Sequence, residues 1–311
     1  PYHSTHPPFG ILLMSVFMRL FGECSWVWRL VSLICGFGCL VFIYRVTKRL
    51  SASSRVAFFA AFLWMFDALS FTQARIGLAN APMLCLMLIS IDCFLRYVIT
   101  PEWPRRKAFF FAGLFWGLAI ATRWTAVSLG AIWLMFLPWL WKQEKEKAPL
   151  FWDIFIYFIL WPILAYLLVF SILPLAKICP WSSVLYLQAD MARYHLFLKA
   201  QHVFGSSWWS WPFMIRPIWY FFERSPEAPS MIRGILSIGN SAIFWVIPAA
   251  IGYSLWRFLN QRSWFIAFVL TGFLTQWGQW AFISRVKFFH YFYTAMPFVV
   301  MAIAIGLERL W

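Results

Sequence analysis

Five basic side chains, Arg29, Arg75, Arg123, Arg285 and Lys287, fall at the ends of long hydrophobic stretches. When those stretches are laid out as alternating membrane crossings, all five ends share one side. A guanidinium at that depth is costly unless it is paired or serves a function. Snorkelling, or an ion pair such as Asp67 with Arg75 about two helical turns away, would explain a single one. Four spans converging at one level exceed the acids available there. The pattern predicts an anion site, most simply for the phosphate of a lipid, which guanidinium holds through paired hydrogen bonds.

Other candidates are weaker. Asp190 and His195 lie in "QADMARYHLFLKAQH" with helical spacing, which suits either amphipathic packing at the surface or a place beside a substrate. His3 and His6 form an H-x-x-H pair, but without further ligands no metal site is assigned. Asp92 and Arg96 stand four apart, the spacing of a local helical ion pair. The six cysteines form no C-x-x-C pair and mostly sit in apolar runs, as small buried hydrophobes do. There is no Gly-rich nucleotide loop, G-x-S-x-G or H-E-x-x-H, so nucleotide binding and standard hydrolase chemistry find no local support.

The elements that must hold these residues are membrane helices. The chain of 311 residues is 63% hydrophobic and 12% charged, whereas a soluble domain carries about 25% charged residues. Its net charge of +15 would suggest nucleic acid in a soluble protein. Here it fits loops facing anionic membrane lipids, and no nucleic-acid partner is expected. About nine spans are predicted, over 26–46, 56–72, 77–97, 108–122, 124–141, 152–174, 241–258, 264–283 and 288–307. Residues 9–22 are too short to cross and suit a helix on the surface. The whole of 1–311 reads as a single all-α transmembrane domain without repeats.

Basic loops at 47–55, 101–107, 142–147 and 257–262 fall on one side, which the positive-inside rule makes cytoplasmic. A long outer segment, 175–240, then separates the sixth and seventh spans. It contains "GSSWWSWPFMIRPIWYF", and Trp208, Trp209 and Trp211 are expected to anchor it at the membrane interface.

Six stretches taken in order resemble the protein O-mannosyltransferase family, and its bacterial members more closely. They are "THPPFG" (5–10), "WVWRLVSLICG" (26–36), "FDALSFTQARIGLAN" (66–80), "GLAIATRWTAV" (117–127), the outer run from "DMARYHLFLKAQH" to "SIGNSAIFW" (190–245 with its Trp-rich middle), and "RVKFFHYFYTAMPF" (285–298). The resemblance implies a type C glycosyltransferase-like multi-span helical bundle. It also implies an inverting transfer of mannose from a polyprenyl- or dolichyl-phosphate carrier to Ser or Thr hydroxyls of exported proteins. Partners would then be the lipid-linked donor, the protein acceptor, membrane lipids and the protein export machinery. The location would be the bacterial plasma membrane, or the endoplasmic reticulum membrane in a eukaryote. No cofactor is implied, and a divalent metal requirement stays open.

On this resemblance Arg29, Arg123 and Arg285 hold the donor phosphate with Arg75 in support, while His6, Asp190, His195 and Lys287 are substrate-site candidates. The family's base belongs to an Asp-Glu pair expected upstream of Pro1, so the chain is expected to lack the catalytic base and its first span. Glu23, Asp190, Glu223 and Glu227 are the acids expected outside, and none has the base role. Two departures from the family stand out: Arg123 replaces its usual lysine and Asn80 its usual aspartate. Other expectations remain open: another lipid-linked sugar transferase acting on a glycolipid, as aminoarabinose transferases do, or a lipid transporter. A transporter predicts internal symmetry and polar mid-membrane helices, and the ionisable groups here cluster at one face instead.

Overall fold

A computed structural model describes residues 5–198, 200–224 and 231–310; His3 of the H-x-x-H pair and Glu227 lie outside them. The chain is mostly helical and is an integral membrane protein. It opens with α1 (Phe9–Phe21), the short helix expected at 9–22, which packs against α2 (Val27–Ser51). A bent pair follows, α3 (Ser54–Met65) and α4 (Ala68–Arg75), meeting at 64°. Next come α5 (Asn80–Val98), α6 (Arg105–Ile120), a 3₁₀ turn (Trp124–Leu129) running into α7 (Gly130–Gln143), and α8 (Lys147–Phe155). A π-turn joins α8 to α9 (Trp161–Leu175), so that Lys147–Leu175 is one continuous apolar rod. After α10 (Trp181–Phe197) and a hairpin, the chain closes with α11 (Ser241–Trp245), α12 (Ile247–Gln261), α13 (Trp264–Gly278) and α14 (Met296–Leu310).

Two helices occupy the centre. α5 and the closing helical run Phe289–Glu308 are buried along most of their length, whereas α2, α7 and the α8–α9 rod leave most of theirs facing outward, as lipid-facing helices do. Small residues set the closest approach. Gly113 and Gly117, four apart on α6, lie against the π-turn and the start of α9. A Cβ at Gly113 would strike the Tyr157 carbonyl, and one at Gly117 would sit 2.7 Å from Pro162. Close backbone contact at small-xxx-small spacing supplies dispersion where lipid offers no hydrophobic drive.

Two expectations need correction. Among the described residues, five helices are long and apolar enough to cross a membrane, or six if the α3–α4 pair counts as one, not about nine. The segments predicted as spans are helical, but α6, α12 and α13 reach only 16, 15 and 15 residues. A basic first turn, the Val246–Ile247 break and a 3₁₀ ending respectively shorten them. The fold is also not wholly α: β1 (Ile218–Arg224) and β2 (Ile232–Ser237) form an antiparallel hairpin pairing Ile218 with Ser237 and Glu223 with Arg233. Aromatic and β-branched residues on a pleated surface favour that state.

The α3–α4 bend has a specific cause. Asp67 is fully buried and caps α4, accepting hydrogen bonds from the Ser70 N–H at 2.8 Å and hydroxyl at 2.7 Å. Its other oxygen accepts from the Asn240 N–H at 3.2 Å, while the Asn240 side chain donates to the Phe66 carbonyl. Asp67 therefore fastens the bend to the start of α11 and makes no ion pair with Arg75.

Candidate functional site

The largest surprise of the charge pattern is where it closes. Arg123 follows the last turn of α6, where extended backbone (φ −155°) ends the helix and turns the side chain aside. Trp116 holds the next turn by donating from Nε1 to the Ala126 carbonyl at 2.8 Å. The "THPPFG" stretch lies on this break: the Phe9 N–H donates to the Ala121 carbonyl at 3.0 Å, and a Cβ at Gly10 would come within 2.9 Å of Ala79 and 3.3 Å of Thr122. His6 is thereby set beside Arg123. α10 brings His195, whose Nε2 lies 2.8 Å from the Thr5 carbonyl and whose ring is 5.2 Å from that of His6. A relay of hydrogen bonds from Trp124 to Tyr166 to Gln188 ties α10 to the same corner.

Arg285 arrives from the segment before the closing helix. It is 8% exposed, with its guanidinium 5.5 Å from the centre of the Tyr291 ring. Tyr291 in turn stacks on Trp280 at 4.3 Å, which fixes that platform. Together these residues line a cavity of about 210 Å³, with His290, Tyr293, Gln279 and Asn80 among its other walls.

Among the described residues no carboxylate lines this cavity. Among the described residues neither Arg123 nor Arg285 makes a side-chain hydrogen bond or ion pair, and Arg123 Nε is buried without a partner. Burial lowers the Arg123 pKa, the sign of a charge held out of water. His6 is depressed to about 2 by burial and then by Arg123, His195 and Arg285. His195 is depressed to about 4 by burial and Arg285, which outweigh the Thr5 carbonyl contact. Both imidazoles are therefore neutral at ordinary pH, and the cavity presents two fixed cations flanked by neutral hydrogen-bonding rings. Such an arrangement binds an anion with up to two negative charges and stabilises charge that grows on it.

The structure divides the predicted residues. Arg123, Arg285, His6 and His195 converge. Arg29 and Arg75 do not join them: both are exposed and line a neighbouring cavity of about 570 Å³ with Thr72, Tyr220 and Leu236. Tyr220 stands between the two spaces, its ring 5.5 Å from His290 and its hydroxyl accepting from Gln73 at 2.9 Å. Gln73 accepts from the Asn80 amide at 2.7 Å, so the residue replacing the family's aspartate is one end of a neutral relay. Lys287 faces another space and donates to the Ile283 and Trp280 carbonyls at 2.7 and 3.2 Å. Asp190 is exposed on α10 and lines none of these cavities.

The tryptophan anchor needs correction too. Trp211 is fully buried, donates to Ser206 Oγ at 2.9 Å and packs on Trp280 and Tyr291. Trp208 is half-buried against Trp277, and only Trp209, 55% exposed, is free to meet the interface. An indole with its N–H satisfied by a neighbour has no need of the wet headgroup layer. Sequence reasoning passed over His290, Tyr291, Gln279 and Tyr220. The first two lie inside the quoted "RVKFFHYFYTAMPF" run, and their polarity within an apolar stretch was the available signal. Among the described residues no group of three His, Cys, Asp or Glu side chains could hold a metal ion.

A polytopic helical membrane protein with a cation-lined cavity at one end belongs to a recognisable class. The family model described as dolichyl-phosphate-mannose-protein mannosyltransferase matches residues 5–168, and that of the C-terminal four-transmembrane region of protein-O-mannosyltransferase matches 180–311. The chain belongs to the protein O-mannosyltransferase family. It is 25% identical to a polyprenol-phosphate-mannose–protein mannosyltransferase of Mycobacterium tuberculosis, over 97% of this chain and 69% of that one. Two solved structures share its type C glycosyltransferase fold. The Saccharomyces cerevisiae protein O-mannosyltransferase Pmt1–Pmt2 complex bound to the sugar donor matches with a TM-score of 0.84 at 12% identity, covering 100% of this chain and 79% of that one. ArnT from Cupriavidus metallidurans bound to undecaprenyl phosphate matches at 0.70 and 15%, covering 99% and 51%.

Proposed function

We propose that this protein transfers mannose from a polyprenyl- or dolichyl-phosphate carrier to Ser or Thr hydroxyls of proteins, inverting the anomeric carbon. One observation carries the reading: Arg123 and Arg285 face a shared cavity with no carboxylate and no hydrogen-bond partner among the described residues. A lipid-linked sugar phosphate supplies the missing anion. The family membership and the mycobacterial relatives named for this reaction support the choice of sugar and acceptor.

In the reaction the acceptor oxygen attacks the anomeric carbon as its proton passes to a base. The bond from that carbon to the phosphate oxygen breaks, and its electron pair stays on the phosphate. Two guanidiniums fixed before the step stabilise that charge without reorganising. Arg29 and Arg75 then act from the adjoining cavity instead of on the same oxygens. A general base is worth about 10²–10⁴ in rate, and we place it outside the described residues because none of them brings a carboxylate to the cavity wall. No cofactor enters the scheme.

We also place the cavity end on the outer face of a plasma membrane, where exported acceptors emerge, since the basic loops lie at the opposite end. The test joins both parts. Purified full-length protein, with the segment that carries the base, should transfer labelled mannose from polyprenyl-phosphate-mannose to a Thr-containing peptide, giving an α-linked product from a β-linked donor. An impermeant thiol reagent in intact cells should label Ser206→Cys and spare Ser53→Cys. Donor hydrolysis without peptide product, or labelling at position 53 alone, would sink the respective part.

A further inference from the structure

Next to the donor cavity lies a wider one of about 680 Å³, formed between residues 200–216 and 284–287. The two share Arg285 as a wall. By contrast, the Arg29–Arg75 cavity shares no lining residue with the donor cavity and is screened from it by Tyr220. An acceptor hydroxyl must come within about 3–3.5 Å of the carbon it attacks, so the acceptor chain must occupy space that opens onto the donor. The cleft beside Arg285 is that space.

Its lining is suited to a polypeptide. Ser206, Ser207, Ser284 and Gln201 offer both donors and acceptors, while Arg216 and Lys287 add positive charge and, among the described residues, no carboxylate lines the cleft. The floor is preformed. The Ser206 N–H donates to the Lys287 carbonyl at 2.9 Å, and buried Trp211 donates to the Ser206 hydroxyl. Arg216 is held with φ 61°, a left-handed conformation uncommon for a side chain of its size, and its only side-chain hydrogen bond among the described residues is a long one to the Gly205 carbonyl at 3.4 Å. The loop thus presents a guanidinium at the rim in place of the glycine its backbone would prefer.

We propose that this cleft receives the acceptor polypeptide and favours hydroxyls flanked by acidic residues. The proposal rests on the transferase reading above and specifies its acceptor. Acidic side chains two or three positions from the target residue would meet Arg216 and Lys287, while the hydroxyl reaches past Arg285 toward the donor. A lipid headgroup suits the cleft less well, because its serines and Gln201 alternate with Trp209, Ile215 and Val286 in a mixed wall, whereas acyl chains call for an apolar slot.

The test uses the purified protein in zwitterionic nanodiscs with polyprenyl-phosphate-mannose and three Thr peptides differing only in Asp, Gly or Lys flanks. Both peptide binding and kcat/KM should rank acidic over neutral over basic, by about threefold per step at low salt, the range of exposed charge pairs. The ranking should shrink as salt rises. Arg216→Gly removes the charge in a backbone that suits glycine, so it should fold and flatten the ranking, and Arg216→Glu should invert it. Equal binding and turnover of all three peptides by the unaltered protein would overturn the proposal. So would a ranking seen only in anionic lipid, which would assign the patch to the membrane. Ranked binding without turnover of even the neutral peptide would keep the cleft and remove the transferase reading instead.

Discussion

The two ends of the bundle carry similar numbers of arginines and treat them in opposite ways. At the end where α2 and α5 finish and α6 and α8 begin, five guanidiniums share four carboxylates. Asp92, 2% exposed, accepts from Arg45, Arg49 and Arg96; Glu102 pairs with Arg49 and Arg96; Asp153 holds Arg105 and Arg106; and Glu144 pairs with Arg105. All the ion pairs found among the described residues lie there. At the other end Arg123 and Arg285 have none, although both are at least half-buried. Compensated charge fastens helices to one another. Uncompensated charge held in place by packing is suited to an anionic ligand, because burying it alone costs free energy that a bound anion returns.

That contrast can be broken most visibly at Arg123. Arg123→Ala should lower donor binding and turnover by about 10²–10³, the loss typical of a removed oxyanion donor, while the melting temperature stays level or rises. Arg123→Lys should keep a good part of the activity, since a point charge remains even though paired hydrogen bonding is lost. Turnover by isotope transfer and unfolding by scanning fluorimetry read the two effects separately. An alanine variant that loses stability and retains turnover would show that the end is structural after all.

The opposite result is expected across the bundle. Asp92→Asn leaves Arg45, Arg49 and Arg96 facing one another at the closing of α2 on α5. Breaking a buried pair costs about 3–5 kcal/mol, and partial exposure of the arginines brings the expected loss to about 2 kcal/mol. Donor affinity measured well below the melting temperature should not change. If affinity falls with stability, the two ends are coupled and the division drawn between them fails.

Asn80→Asp sharpens the comparison by giving the cavity end a carboxylate of its own. The new charge would stand on the cavity wall that Arg123 also lines, and Gln73, which accepts from Asn80, would have to turn its amide to donate to it. A competing internal anion should weaken donor binding by roughly tenfold, the scale of one nearby charge in a partly screened site. Unchanged or tighter binding would mean that the position contacts sugar instead of competing for the cations.

How far such a site can be seen in a sequence depends on which forces place it. The apolar segments and the level of Arg123 and Arg285 were legible, because hydrophobic length and charge position are one-dimensional properties. Asp67 was misread for a different reason: a carboxylate eight residues from an arginine looks like its partner until the backbone between them bends and turns the acid into a cap. Arg29 and Arg75 share a depth with the cavity arginines, yet lateral position around the bundle, which depth does not encode, puts them behind Tyr220. Trp211 looked like an interfacial residue but found an edge-to-face partner in Trp280, far away in sequence. The hairpin and the shortness of α12 and α13 likewise depend on tertiary neighbours.

The smallest effect expected is a dependence on pH, and it tests the cavity without a mutation. His6 and His195 have folded pKa values depressed to about 2 and about 4 from an ordinary 6.5. A depressed imidazole means that the unfolded state binds protons more readily than the folded one below pH 6.5. The stability they contribute is thus fully present above that value and declines as pH falls toward 4. With discounting for solvent screening at the partly exposed His195, the loss by pH 6 should be about 1 kcal/mol, seen as a lower denaturation midpoint. An anion seated between Arg123 and Arg285 offsets the charge that depresses both rings, so saturating lipid phosphate should raise their pKa values and flatten the decline. Ligand binding should then take up protons below pH 6, a quantity calorimetry reads by repeating the titration in buffers of different ionisation enthalpy. The end held by Asp92 predicts no such uptake, and a proton balance of zero at pH 5 would place the bound phosphate away from these histidines.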